Sequence, residues 1–114
     1  MKKEQLANLF TKRLHAELML FQAAMLRKEK EEIYAEAYKI EAYASLYEIL
    51  IEQAGRMTKK LLDKLVYLQY GILETFYQGW LKWEDSSYVE MKEYVEDEIK
   101  VRSQREETDE RKEQ

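Results

Sequence analysis

A chain of 114 residues without a single proline holds almost nothing that forces a helix to stop. Proline removes a backbone donor and clashes with the preceding turn, so its absence leaves interruption to glycine and to capping residues. Only three glycines occur, at 55, 71 and 79, and none stands beside another. The rest is written mainly in apolar and charged letters, 46% and 37% of the chain, which is the alphabet of amphipathic helices packed on one another. An all-α fold is therefore expected. With no cysteine there is no disulfide frame, no thiolate metal site and no cysteine nucleophile.

The breaks that do occur carry weight. Gly55 follows an apolar run and suits the left-handed residue after a helix C-terminus. Thr58 is placed to cap the next helix, with Met57 and Leu62 at the spacing of a hydrophobic staple. Farther on, Ser87 and Glu90 have the spacing of a capping box after Glu84-Asp85-Ser86. Residues 27–32 (Arg-Lys-Glu-Lys-Glu-Glu) separate two apolar patterns without Gly or Pro. Either a turn lies there or one helix runs from about residue 3 to 54. The turn is favoured, because the face formed by Leu6, Phe10, Leu14, Leu18, Phe21 and Met25 needs a local partner. The expected fold is a four-helix antiparallel bundle with helices near 3–27, 31–54, 58–83 and 87–108. Residues 1–98 would form the bundle domain and 99–114 a charged tail, helical through pairs such as Glu98–Arg102 and Glu107–Arg111.

Two faces compete on the second helix. Ile33, Ala37, Ile40, Ala44, Tyr47, Ile51 and Ala54 follow 4-3 spacing, which is a heptad seam. Tyr34, Tyr38, Ala42, Leu46, Ile49 and Leu50 lie largely opposite. The third helix is apolar nearly all round, which predicts a central, buried element ending in Trp80 and Trp83. This is more apolar surface than one small bundle covers, and Tyr and Trp are favoured at interfaces. Tyr34, Tyr38, Tyr43, Tyr47, Trp80 and Trp83 are therefore candidate interface anchors, and a homodimer is expected.

Charge is uneven as well. Of the net −4, residues 84–98 hold seven acids against Lys92 alone. Acids in the first turns of a helix complement its dipole, yet seven exceed what capping requires. Glu84, Asp85, Glu90, Glu93, Glu96 and Asp97 thus form a candidate acidic docking face for a basic partner. The bland alternative is a solvated helix start.

Catalytic and metal chemistry find little support. His15 is the only histidine. With Glu17 it begins the zinc-deaminase pattern His-x-Glu, but the cysteines completing that site are missing. A di-iron bundle needs Glu-x-x-His twice. The serines have no histidine partner in sight, and isolated glycines make no phosphate loop. No catalytic residue, metal ligand or cofactor is assigned, and a non-enzymatic protein is expected. Arg56, Lys59, Lys60 and Lys64, around a helix–helix joint, could touch a phosphate. An acidic chain of pI 5.2, with the apolar third helix following that joint, nevertheless argues against direct nucleic-acid binding. The longest uncharged stretches, 18–26 and 65–73, are half of what a bilayer needs, and no signal core follows Met1, so no membrane contact and a cytoplasmic location are expected.

Certain short motifs resemble those of a known family. These are Leu61-Leu62, Tyr77-Gln78-Gly79-Trp80-Leu81, Ser87-Tyr88-Val89-Glu90-Met91 and, earlier, Ala37-Tyr38-Lys39-Ile40. They are similar to a family of short all-helical proteins of unknown function, found mostly in Firmicutes and their mobile elements. The likeness spans residues 13–99, and the prolines that members carry near the position of 27–32 are absent here. The resemblance implies the helical fold and a mobile-element setting. In that setting the acidic face suggests an alternative to the self-associating module. The chain would be an anti-CRISPR-like inhibitor that docks on the basic nucleic-acid groove of a host defence nuclease.

Overall fold

The computed structural model describes residues 1–82 and 90–113, with side chains through 105. The described chain is all-α, as expected. Six helices follow in order: α1 (Lys3–Leu26), α2 (Lys30–Ala35), α3 (Ala37–Gln53), α4 (Lys59–Val66), α5 (Ile72–Leu81) and α6 (Met91–Glu113). A 3-10 turn, Ala54–Arg56, joins α3 to α4. No helix among the described residues is long and apolar enough to cross a membrane.

The turn expected within 27–32 is present. α1 closes at Arg27, whose N–H bonds the Ala24 carbonyl, and Lys28 N–H bonds that of Met25. Helix resumes at Lys30. The second expected helix is interrupted once, at Glu36, where ψ of 10° departs from α geometry. The hydrogen-bond ladder runs on through that point, from Glu36 N–H to Glu32 and from Ile40 N–H to Glu36. Thr58 caps α4 as expected, its Oγ1 accepting from Leu61 N at 3.1 Å, and the staple pair Met57 and Leu62 is fully buried.

Three expectations are corrected. Gly55 does not take a left-handed conformation, since no described residue has positive φ. The helix instead tightens into the 3-10 turn, and extended backbone at Met57 (ψ 147°) leads the chain away. The expected helix 58–83 is two helices, with Tyr67–Gly71 as a corner between them; the cause is given below. The element meeting the most others is α3, which packs on α1, α5 and α6. The expected start of the last helix at Ser87 lies outside the described residues.

The choice between the two faces of the second helix is also settled. The core takes Ala42, Tyr43, Leu46 and Leu50 from α3, together with Leu6, Phe10, Leu14 and Leu18 of α1. Leu61, Leu62 and Leu65 of α4, Ile72, Leu73, Phe76 and Tyr77 of α5, and Tyr94, Val95 and Ile99 of α6 complete it, with Ala54 and Met57 from the α3–α4 joint. Of the heptad seam, only Ala54 is buried. At 100° per residue the seam lies between the buried and the outward faces of α3. Most of its residues are therefore half-buried rather than enclosed, and Ala37 is exposed.

Candidate interaction site

What shapes the surface is a pair of charges on α1. Arg13 and Glu17 sit one turn apart and pair at 3.0 Å. The guanidinium then reaches across to the end of α4. Its Nη1 donates to the carbonyls of Leu65 (3.1 Å) and Val66 (2.7 Å), and Nη2 donates to that of Tyr70 (2.8 Å). The Glu17 carboxylate accepts the first two N–H groups of α5, Ile72 at 3.0 Å and Leu73 at 2.9 Å. A cation thus meets the negative end of one helix and an anion the positive start of the next, each satisfying orphan backbone groups. This explains why the chain turns at 67–71 although its apolar sequence would continue as helix. Gly71 is the only local mark of that corner in the sequence.

A second polar node holds α3 to α5. Tyr43 O–H donates to Glu74 Oε2. Lys39 Nζ lies 3.3 Å from the same oxygen and 5.4 to 5.9 Å from the ring centres of Phe21, Tyr43 and Tyr77. Gln78 Nε2 donates to the other Glu74 oxygen at 2.8 Å. Burial alone would raise the Glu74 carboxyl. The hydrogen bonds from Tyr43 and Gln78 and the Lys39 charge outweigh it, holding the group below its ordinary 4.5. Burial, then the bonded Glu74 carboxylate, pushes the Tyr43 phenol far above its ordinary 10.0.

These shifts set the sign of the pH dependence. Glu74 is the stronger acid when folded, so its contribution is full above pH 4.5 and is lost as pH falls through the lower folded value. Tyr43 is the weaker acid when folded, so its contribution is full below pH 10.0 and is lost above it. The urea midpoint of unfolding is expected to fall at both extremes. Glu74→Gln should flatten the acid limb and Tyr43→Phe the alkaline one. Equal limbs in variant and parent would show that the node does not titrate with folding.

The candidate anchors are distributed unequally. Tyr34 and Tyr38 are 85% and 57% exposed, while Tyr43 belongs to the core. Tyr47 is half-buried, its ring centre 6.4 Å from that of His15. Trp80 is half-buried, donates to Tyr38 O–H at 2.7 Å and packs on Tyr94 at 5.8 Å. Trp83 lies outside the described residues. The structure thus brings Tyr38 and Trp80 together and leaves Tyr34 apart. Periodicity does not show that Leu26 (81% exposed) and Met19 of α1 are, like Tyr34, uncovered apolar groups. An almost wholly apolar groove of about 350 Å³ lies at the end of α1, lined by Gln22, Met25, Leu26, Ile33 and Ile40.

The chain matches no family model, no curated protein and no solved structure. Function must therefore be read from its own surfaces.

Of the candidate acidic face, Glu90, Glu93, Glu96 and Asp97 are exposed at the start of α6, whereas Glu84 and Asp85 lie outside the described residues. Lys92 of the same helix pairs with Glu52 of α3 at 3.1 Å. A larger cleft of about 560 Å³ lies between α5 and α6 and mixes charges, with Glu74 and Glu98 facing Lys82, Arg102 and Arg105. Arg102 is committed there, paired to Glu98 at 2.9 Å and stacked 5.5 Å from the Phe76 ring centre.

Proposed function

We propose that this is a non-enzymatic interaction protein that self-associates through the apolar and aromatic face formed by the end of α1, α2 and the start of α3. The observation that carries this reading is the uncovered Leu26, which with Met25, Ile33 and Ile40 lines a groove with almost no polar lining, and the exposed Tyr34 on the adjoining α2. Folded chains keep such groups apart or cover them, and a contiguous apolar patch marks a contact surface. Tyrosine suits such a contact because its ring is buried while its hydroxyl still finds a partner. Light scattering from micromolar to millimolar concentration should give a mass rising to twice that of the chain. Leu26→Ser with Tyr34→Ser should return it to the single-chain mass with circular dichroism unchanged, since both side chains are solvent-facing. A single-chain mass throughout would remove the self-association.

The exposed acids of α6 favour a second reading, in which that helix docks on a basic groove of a nuclease. Like-signed groups on one face steer a basic partner and make binding salt-sensitive. Glu93→Lys with Asp97→Lys should then abolish binding to a basic nucleic-acid-binding protein; binding unaffected by the reversal would remove this reading.

A further inference from the structure

The occupant of the α1–α3 face follows from its register and charge. α1 and α3 run antiparallel: Lys3 Nζ reaches the Gly55 carbonyl at one end, His15 lies against Tyr47 midway, and the groove joins Leu26 to Ile33 at the other end. On the outward side of α1, Lys12, Met19 and Leu26 fall on one line at seven-residue spacing and all three are exposed. On the outward edge of the α3 seam lie Ala37, Glu41, Ala44 and Glu48. Lys12 and Glu48 have no ion-pair partner among the described residues. Lys12 lies less than one turn before His15, and Glu48 directly follows Tyr47, so the two charges stand at the same height on neighbouring helices.

We infer that a second copy of the chain covers this face, related by a two-fold axis parallel to the helices, so that α1 of each copy lies antiparallel on α3 of the other. The inference rests on the self-association proposed above and names its geometry. A rotation about such an axis keeps height along the helices and exchanges α1 for α3. It sets Lys12 against the other copy's Glu48 and Met19 against its Ala44. It also sets Leu26 against its Ala37, so that each large apolar side chain meets a small one. The same contacts are made twice, as an isologous pair requires. The result is a four-helix layer in which the half-covered seam of α3 becomes interior. Seventeen residues of α3 make a face about 25 Å long, and two helices side by side make it about 20 Å wide. That footprint, about 500 Å² per partner, is smaller than the roughly 800 Å² of a standard-sized interface and fits a weak, concentration-dependent pair.

A charge swap in the full-length chain tests the register. Lys12→Glu and Glu48→Lys should each weaken dimerisation about tenfold in analytical ultracentrifugation, because each places like charges together twice per dimer. The double variant should recover the parent affinity. Glu48→Lys lowers the net negative charge, so its weakening cannot come from general repulsion. A chain that stays monomeric overturns both this geometry and the self-association beneath it. A dimer indifferent to either single reversal, or one not rescued by the double, overturns this geometry alone.

Discussion

Glu17→Ala will lower the stability of the protein by about 3 kcal/mol, more than a surface ion pair could account for. The carboxylate accepts from Arg13 and from the first two amides of α5. Each charge-assisted bond contributes about 1.5 to 3 kcal/mol, and its loss strands a donor with few alternatives. Arg13 loses its counter-charge while still holding the carbonyls of Leu65, Val66 and Tyr70. For a domain of this size the melting temperature should fall by roughly 10 to 20 °C. Glu17→Gln, which keeps an acceptor but not the charge, should cost about half as much. Thermal and urea unfolding measure both variants. A loss below about 1 kcal/mol for the alanine variant would mean that the pair is an ordinary surface bridge and the corner is held otherwise.

Gly79→Ala will also be destabilising, although alanine is the better helix former by roughly 0.5 to 1 kcal/mol. A Cβ at position 79 would collide with the Tyr94 hydroxyl oxygen and stand 3.1 Å from its ring carbon Cζ. Tyr94 cannot swing away, because it is buried and its O–H donates to the Phe76 carbonyl at 3.0 Å. Its ring is further held by Trp80 and by an edge contact with Phe76. Overpacking of this kind costs about 1 to 3 kcal/mol, and the upper half of that range is expected. Tyr94→Phe alone should cost about 1 kcal/mol for the lost hydrogen bond. In that background Gly79→Ala should cost markedly less, the close approach to the ring carbon remaining, and the double-mutant cycle should give a coupling above about 1 kcal/mol. Additive effects would place the cost elsewhere than at the hydroxyl.

Local signals in the sequence were readable where cause and effect are neighbours. Thr58 caps the helix it precedes, and the turn after Arg27 falls where the apolar face of α1 runs out. Periodicity located both apolar faces of α3 but not which one the core would take. Burial is decided by what packs there, and Tyr43, Leu46 and Leu50 belong to the common core while Ile33 and Ile40 border a groove. The corner at 67–71 was not readable, because its determinants stand 52 to 57 residues earlier in the chain. Arg13 and Glu17 look like a routine surface pair one turn apart, and only the fold shows where their remaining hydrogen bonds go. For the candidate site, composition signalled surplus aromatic surface. It could not separate Tyr43, which fills the core, from Tyr34, which faces solvent.

Because the α4–α5 corner is closed by groups so distant along the chain, it has no private way to open. A loop fixed by its own neighbours can fray while the rest of the molecule stands. Here the acceptor of the Ile72 and Leu73 amides is carried by α1, and α1 supplies Leu6, Phe10 and Leu14 to the core. Their hydrogen exchange with solvent should therefore follow global unfolding, at the rate of the slowest core amides. A surface bend will then report on the integrity of the whole molecule.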